Sequence, residues 1–177
     1  MEILDQAYLN DLVIRSGRGD SNAFAELFAA VWEGQYIYLY AMFGEREKAE
    51  EALCSVFAQA LRRLPSLPKA GLFLSWISRM SYLYCRERQE DIPDAGTAEQ
   101  SSFSLTQILN LPLTESQILL MTCEQGLTDE ETGRILNISG ILLRRYRKDG
   151  LRHLRSAVQP RHRKAGTRLP EARPDAA

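Results

Sequence analysis

Apolar residues recur along this chain at the spacing of helix faces, and no segment shows the strict alternation of a half-buried strand. The first helical pattern covers about residues 3–15, with Ile3, Leu4, Leu9, Leu12 and Val13 apolar, and Gly17-Arg18-Gly19-Asp20 breaks it. Asp20 or Ser21 can cap a second helix that carries Phe24, Leu27, Phe28 and Val31 to about Trp32. After Gly34 comes the aromatic run Tyr36–Phe43, which by pattern alone suits a buried helix or a strand; its neighbours favour helix. A longer helix is predicted from about Arg46 to Leu64, before Pro65, with an apolar stripe through Ala49, Ala52, Leu53, Val56, Phe57, Ala60 and Leu61. Pro65 and Pro68 bracket a turn, and residues 71–89 form the next helical pattern through Phe73, Trp76, Ile77, Met80 and Tyr84.

Polarity changes at Glu90. Residues 90–104 hold Asp91, Pro93, Asp94, Gly96, Ser101 and Ser102 and read as a flexible linker. Helical patterning then resumes in short, capped pieces. Thr114-Glu115-Ser116-Gln117 has the spacing of a capping box ahead of Ile118, Leu119, Leu120 and Met121, and Thr128-Asp129-Glu130-Glu131 is a second box. Asn137 stands where the following short helix must stop, and Ser139 can cap a last helix that runs to about Val158 before Pro160. The expected fold is therefore all-α: a helical domain at residues 1–89, a linker at 90–104, a second small helical domain at 105–158, and a basic, disordered tail at 159–177.

Composition narrows the function. With 177 residues, 45% hydrophobic and 25% charged, the chain suits one soluble domain or two small ones. A net charge of −1 rules out general attraction to nucleic acid by the whole molecule, but its distribution is uneven. Glu45, Glu47, Glu50 and Glu51 cluster in the first half, and from Arg144 onward the chain is strongly basic. Cys54, Cys85 and Cys123 are widely separated, which suits reduced thiols in a cytoplasmic protein, each expected to be a small buried hydrophobe. His153 and His162 lack acidic or cysteine neighbours in sequence, so no metal or cofactor is expected. No secretory leader, membrane-length apolar run or catalytic constellation is visible, and neither an enzyme nor a membrane-inserted protein is expected.

The chemistry lies in residues 128–158. Two short capped helices joined by a three-residue turn make a helix-turn-helix, whose second helix enters the DNA major groove. Gly133 supplies the small residue such a crossing needs, and Leu136, Ile138, Leu142 or Leu143, and Leu151 can form the core beneath. The last helix carries Arg144, Arg145, Arg147, Lys148, Arg152 and Arg155 against Asp149. Such cations can hold phosphates and read guanine, although a solvated basic face would show the same residues.

These residues resemble a known family. Leu111-Pro112, Gln117-Ile118-Leu119-Leu120, Gly126-Leu127-Thr128-Asp129-Glu130-Glu131 and Asn137-Ile138-Ser139 are similar, in order and spacing, to region four of bacterial sigma factors. Gly19-Asp20, Ala23-Phe24 and Leu27-Phe28 resemble the opening of region two. Lys48-Ala49-Glu50-Glu51 with Val56-Phe57 resembles the segment that binds the polymerase clamp, and Ser75-Trp76-Ile77-Ser78-Arg79 resembles the start of the promoter-melting helix. The resemblance covers residues 9–158, and the two-region layout is that of the extracytoplasmic-function (group four) sigma factors. The chain departs from the pattern at Cys54 and Ser55, at Tyr82 and Leu83, at Gly140–Leu143 and at Tyr146, which marks a divergent member.

The resemblance implies a sigma factor that directs promoter-specific initiation through core RNA polymerase and the minus-ten and minus-thirty-five promoter DNA, and that is restrained by an anti-sigma factor. The implied DNA-binding residues are Ser139, Leu142, Arg144, Arg145, Arg147, Lys148 and Arg152, with Arg79, Tyr82 and Arg86 on the melting helix. Glu47, Glu50, Glu51, Val56 and Phe57 are the implied polymerase contacts. Aromatics among cations, as at Tyr82 and Arg86, suit stacking on unpaired bases, whereas Trp76 reads more naturally as core. The changes at Cys54 and Ser55 leave open a sigma-like regulatory or interaction protein that binds DNA or partners without initiating transcription.

Overall fold

Asp5 and Asp20 begin the first two helices. In the computed structural model, which describes residues 5–92 and 111–158, the Asp5 carboxylate accepts the Ala7 N–H at the start of α1 (Gln6–Gly17). Ile3 and Leu4, expected in that helix, lie outside the described residues. The chain reverses at Gly19, whose φ of 92° belongs to the left-handed region open to glycine. Asp20 then accepts the Asn22 and Ala23 N–H groups at the head of α2 (Ser21–Phe43) and pairs with Arg15 at 2.8 Å. The Ala23 N–H and the Arg15 guanidinium hold the Asp20 carboxyl below its ordinary pKa.

The pattern predicts a break at Gly34, yet α2 runs unbroken for 23 residues. Gly34 is there for space. A Cβ on it would lie 3.0 Å from the Glu124 carbonyl oxygen, so the missing side chain lets a distant backbone cross α2. The ambiguous aromatic run is thereby helical, with Tyr38, Leu39, Met42 and Phe43 buried. Gly44, at φ 70°, ends the helix with its N–H on the Tyr40 carbonyl.

Helix α3 (Arg46–Arg63) follows its predicted stripe, burying Ala49, Ala52, Leu53, Val56, Phe57 and Ala60, though Leu61 at the edge is exposed. Short 3₁₀ turns at Leu64–Ser66 and Ala70–Leu72 lead into α4 (Phe73–Glu87), and a third at Gln89–Asp91 follows it. Helices α1, α3 and α4 all pack on α2, and Phe28 meets Phe57 edge-on at 4.5 Å. Most of the predicted linker, and all of the predicted tail, fall outside the described residues.

The second block begins at α5 (Leu113–Leu119), and its start corrects the sequence expectation. No capping box forms at Thr114. Pro112 occupies the cap position, its carbonyl accepts the Glu115 and Ser116 N–H groups, and Gln117 turns its amide toward the Met42 sulfur at 3.8 Å. The helix then widens into a π turn (Leu120–Glu124), closed by the Gln125 N–H on the Leu120 carbonyl. Helices α6 (Asp129–Leu136) and α7 (Gly140–Val158) complete the order. Among the described residues the protein is all-helical, and no helix is long and apolar enough to cross a membrane.

The two blocks share one apolar cluster. Leu120, Met121, Leu127 and Ile135 join the interior built by α1 to α4, with the π turn against α2 and α6 against α4. Filling the Gly34 gap tests this crossing. Leucine has the higher intrinsic helix propensity, so on a free helix surface Gly34→Leu would stabilise. Against the Glu124 backbone it is expected to lower the unfolding free energy by ~1–3 kcal/mol in urea denaturation.

Thiol reactivity offers a second check. Cys85 is buried as expected and its pKa is pushed up to about 12 by desolvation, but Cys54 and Cys123 correct the expectation of buried thiols, since both are exposed. Ellman's reagent at pH 8 is expected to label Cys54 and Cys123 rapidly in the native protein and Cys85 only after denaturation.

Candidate nucleic-acid interface

Helix α6 starts at the capping box read from the sequence. The Thr128 hydroxyl accepts the Glu131 N–H, and the Glu131 carboxylate accepts the Thr128 N–H at 3.0 Å. Asn137 closes α6 in the left-handed conformation, at φ 56° and ψ 46°. Beyond this turn, the Ser139 hydroxyl lies 3.4 Å from the Leu142 N–H and caps α7. Gly133 serves the close approach expected of it: a Cβ there would sit 3.1 Å from the Ile138 carbonyl oxygen.

The polar and apolar faces of α7 follow directly from helical spacing. Leu143, Gly150 and Leu154 share the inward face, with Leu143 fully buried beside Gly133. A Cβ on Gly150 would lie 3.1 Å from Leu119 Cδ1 and 3.3 Å from Glu115 Cβ, so this glycine lets α7 seat against α5. Ile141, Arg144, Arg145, Lys148 and Arg152 share the opposite face, and all are exposed. Of the expected small core, Leu143 is the interior residue of the Leu142–Leu143 pair. Leu151 is 39% exposed and takes no part, because it lies off the inward face.

Arg147 departs from the expected set. It points toward α6 and pairs with Asp129, bracing α7 against α6 instead of lying on the open face. Asp129 opens α6, so this pair joins the start of one helix to the middle of the next. On the other side, His153 Nδ1 meets the buried Glu115 at 2.8 Å and ties α7 to α5. Arg152 is held by Asp149 at 2.8 Å, with Arg145 3.9 Å from the same carboxylate. Arg144 borders an open groove with Arg134, Asn137 and Ser139 at the mouth of the turn.

On α4, Arg79, Tyr82 and Arg86 fall on one face at i, i+3 and i+7. Arg79 and Arg86 are exposed, while Tyr82 is half-buried with the Arg86 guanidinium 5.9 Å from its ring centre. Arg79 also lines a cleft shared with Trp76 and with Glu131, Arg134 and Ile135 of α6. Trp76 packs beside Phe73 against the core, as its reading as a core residue requires.

On α3, Glu47, Glu50 and Glu51 are exposed, and Glu50 is held by Arg46 at 2.7 Å. Cys54 is exposed on the same face, one turn further on. Val56 and Phe57 correct the expectation of a polymerase-contacting pair. They are only 1% and 5% exposed, because the helix turns them into the stripe against α2, and they support the acidic face from behind.

The sequence reading missed a buried polar knot. Gln35 donates to Ser78 Oγ at 3.2 Å, and its own carbonyl accepts from Ser81 Oγ at 2.7 Å and from Gln125 Nε2 at 3.2 Å. All four residues are buried, and they link α2, α4 and the end of the π turn. The available signal was polar residues inside apolar stretches, which marks burial but not who pairs with whom.

Comparison with family models finds no match, and comparison with curated proteins finds none. Comparison with solved structures does find likeness. A chain of the structure of CnrH in complex with the cytosolic domain of CnrY superposes with a TM-score of 0.64 at 15% identity, covering 85% of this chain and 96% of that one. A chain of the RsbN–BldN complex matches with a TM-score of 0.41 at 21% identity, over 82% of this chain and 99% of that one. The first likeness shows a shared fold: among its described residues this chain has the all-helical architecture of the matched chain of the CnrH–CnrY structure.

The Gln35 knot yields a stability prediction. Gln35→Leu removes the shared partner of Ser78, Ser81 and Gln125, and each unpaired buried group costs about 1–3 kcal/mol. A total loss of ~2–4 kcal/mol in chemical denaturation is expected. An unchanged midpoint would show that the knot does not hold the blocks together.

Proposed function

We propose that this protein is a sigma factor of the extracytoplasmic-function type, binding core RNA polymerase and bringing it to a promoter. The carrying observation is the exposed cationic face of α7, set behind the capped α6 and its left-handed turn in a fold shared with a chain of the CnrH–CnrY structure. Arg144, Arg145, Lys148 and Arg152 hold the minus-thirty-five duplex by phosphate and base contacts, and Ser139 and Leu142 flank them at the entry of the helix. Arg79, Tyr82 and Arg86 contact the minus-ten region, with the Tyr82 ring available for stacking on an unpaired base. The exposed Glu47, Glu50 and Glu51 carboxylates meet a basic surface of the polymerase clamp. The protein supplies recognition, and the chemistry of polymerisation belongs to its partner.

CnrH is seen in complex with the cytosolic domain of CnrY, which supports a corresponding inhibitor for this chain: an anti-sigma partner that competes for the same helices. Residues 90–104 serve as the tether between the two recognition units. The reading places the protein in the cytoplasm, where polymerase works. A second reading has one observation in its favour: Cys54 stands exposed on the acidic face, so that surface departs from the family pattern where polymerase contact is expected. A sigma-like regulator that binds DNA without initiating transcription would bind duplex but fail to capture core polymerase in a pull-down.

Run-off transcription with a core polymerase proven active with another sigma factor tests initiation, and a promoter-specific transcript is expected. For the DNA contact, Arg144→Ala/Arg145→Ala is expected to weaken duplex binding by the full-length protein by tenfold or more, on the order of two lost phosphate or base contacts. The slope of log affinity against log salt should fall by about 2 if both arginines meet phosphates. Unchanged affinity in fluorescence anisotropy would place the DNA elsewhere.

A further inference from the structure

Ile141 is the most exposed of the large apolar side chains on the described surface, at 75%, and it sits in an unusual place. It is the second residue of α7, just past the Ser139 cap, and leads the face that continues through Arg144, Arg145, Lys148 and Arg152. Its neighbour Leu142 is 42% exposed. Neither side chain contributes to the inward face, where Leu143 fills the space beside Gly133. Nothing in the fold therefore accounts for an isoleucine at this position, and its β-branch is a mild helix cost on an exposed first turn.

We infer that Ile141 reads thymine methyl groups in the major groove, giving the α7 half-site a requirement for thymine that no hydrogen-bonding residue of the helix would impose. The inference rests on the DNA-binding reading of α7. In a helix-turn-helix the N-terminal residues of the second helix meet base edges, while cations further along hold the backbone. The only apolar feature of the major-groove edge is the C5-methyl of thymine, and apolar side chains pair with it.

The surroundings favour DNA over a protein as the occupant. A stable protein interface has an apolar centre of several residues with charge depleted around it. Ile141 and Leu142 form a patch of two side chains, and the face that Ile141 leads continues entirely through cations. That composition matches a polyanion presenting small apolar points. Gly140, whose lack of a side chain leaves the first turn slim, lets Ile141 descend toward the groove floor.

The test starts with selection of duplexes from a random pool by the full-length protein, whose α7 face is exposed as the molecule stands. Each thymine of the enriched site is then replaced by deoxyuridine, which deletes the 5-methyl group and nothing else. At least one replacement is expected to weaken wild-type binding roughly three- to fivefold, the effect of one buried methyl. Ile141→Ala should bind the two duplexes equally, and Ile141→Val should keep part of the preference; both should fold normally, since the side chain is exposed. Deoxyuridine tolerated at every position, or an Ile141→Ala protein that still discriminates, overturns the inference while leaving α7 as a DNA-binding helix. If no duplex is enriched at all, the DNA-binding reading falls and this inference falls with it. An enrichment unaffected by Ile141→Ala would mark Ile141 as a protein contact and also overturns it.

Discussion

The crossing of α2 over the π turn, at Gly34 and Gln35, is the constraint on which the placement of the second block depends. Gly34 removes a side chain so that the Glu124 carbonyl can come within 3.0 Å of where a Cβ would be. Gln35 then inserts an amide whose groups are divided among Ser78, Ser81 and Gln125. Burying an amide is costly unless its hydrogen bonds are made, so a knot of this kind selects one arrangement more sharply than apolar contact can. Leu120, Met121, Leu127 and Ile135 provide the apolar area around it. The π turn belongs to the same device: its extra residue per turn delivers Gln125 to the seam.

Charge on α7 is divided by the same logic of position. Six cations look equivalent in sequence, yet the helix assigns them different work. Arg147 is spent on Asp129 between α6 and α7, and Arg152 is steadied by Asp149, while Arg144 and Lys148 stay on the open face. Glu115 and His153 fix the other flank of the helix against α5. Helix α7 is thus braced on both sides by polar pairs. Val56 and Phe57 make the parallel point on α3, where the motif residues that draw the eye are interior and the acids on the far side remain available.

Much of this protein was determined by sequence alone. Helical periodicity specified an all-α chain and placed α3, α6 and α7 closely, because amphipathic stripes and caps are local properties. The Thr128–Glu131 box and the left-handed Asn137 were legible for the same reason: each is satisfied within four residues of itself. What only the tertiary structure decided was everything that depends on a partner distant in sequence. Gly34 looked like a breaker because its reason lies 90 residues away, at Glu124. Thr114 looked like a cap because Pro112 and Met42 could not be seen to compete with it. The roles of Arg147, Gln35 and Glu115 were hidden likewise, since a side chain's chemistry is written in the sequence but its partner is set by packing.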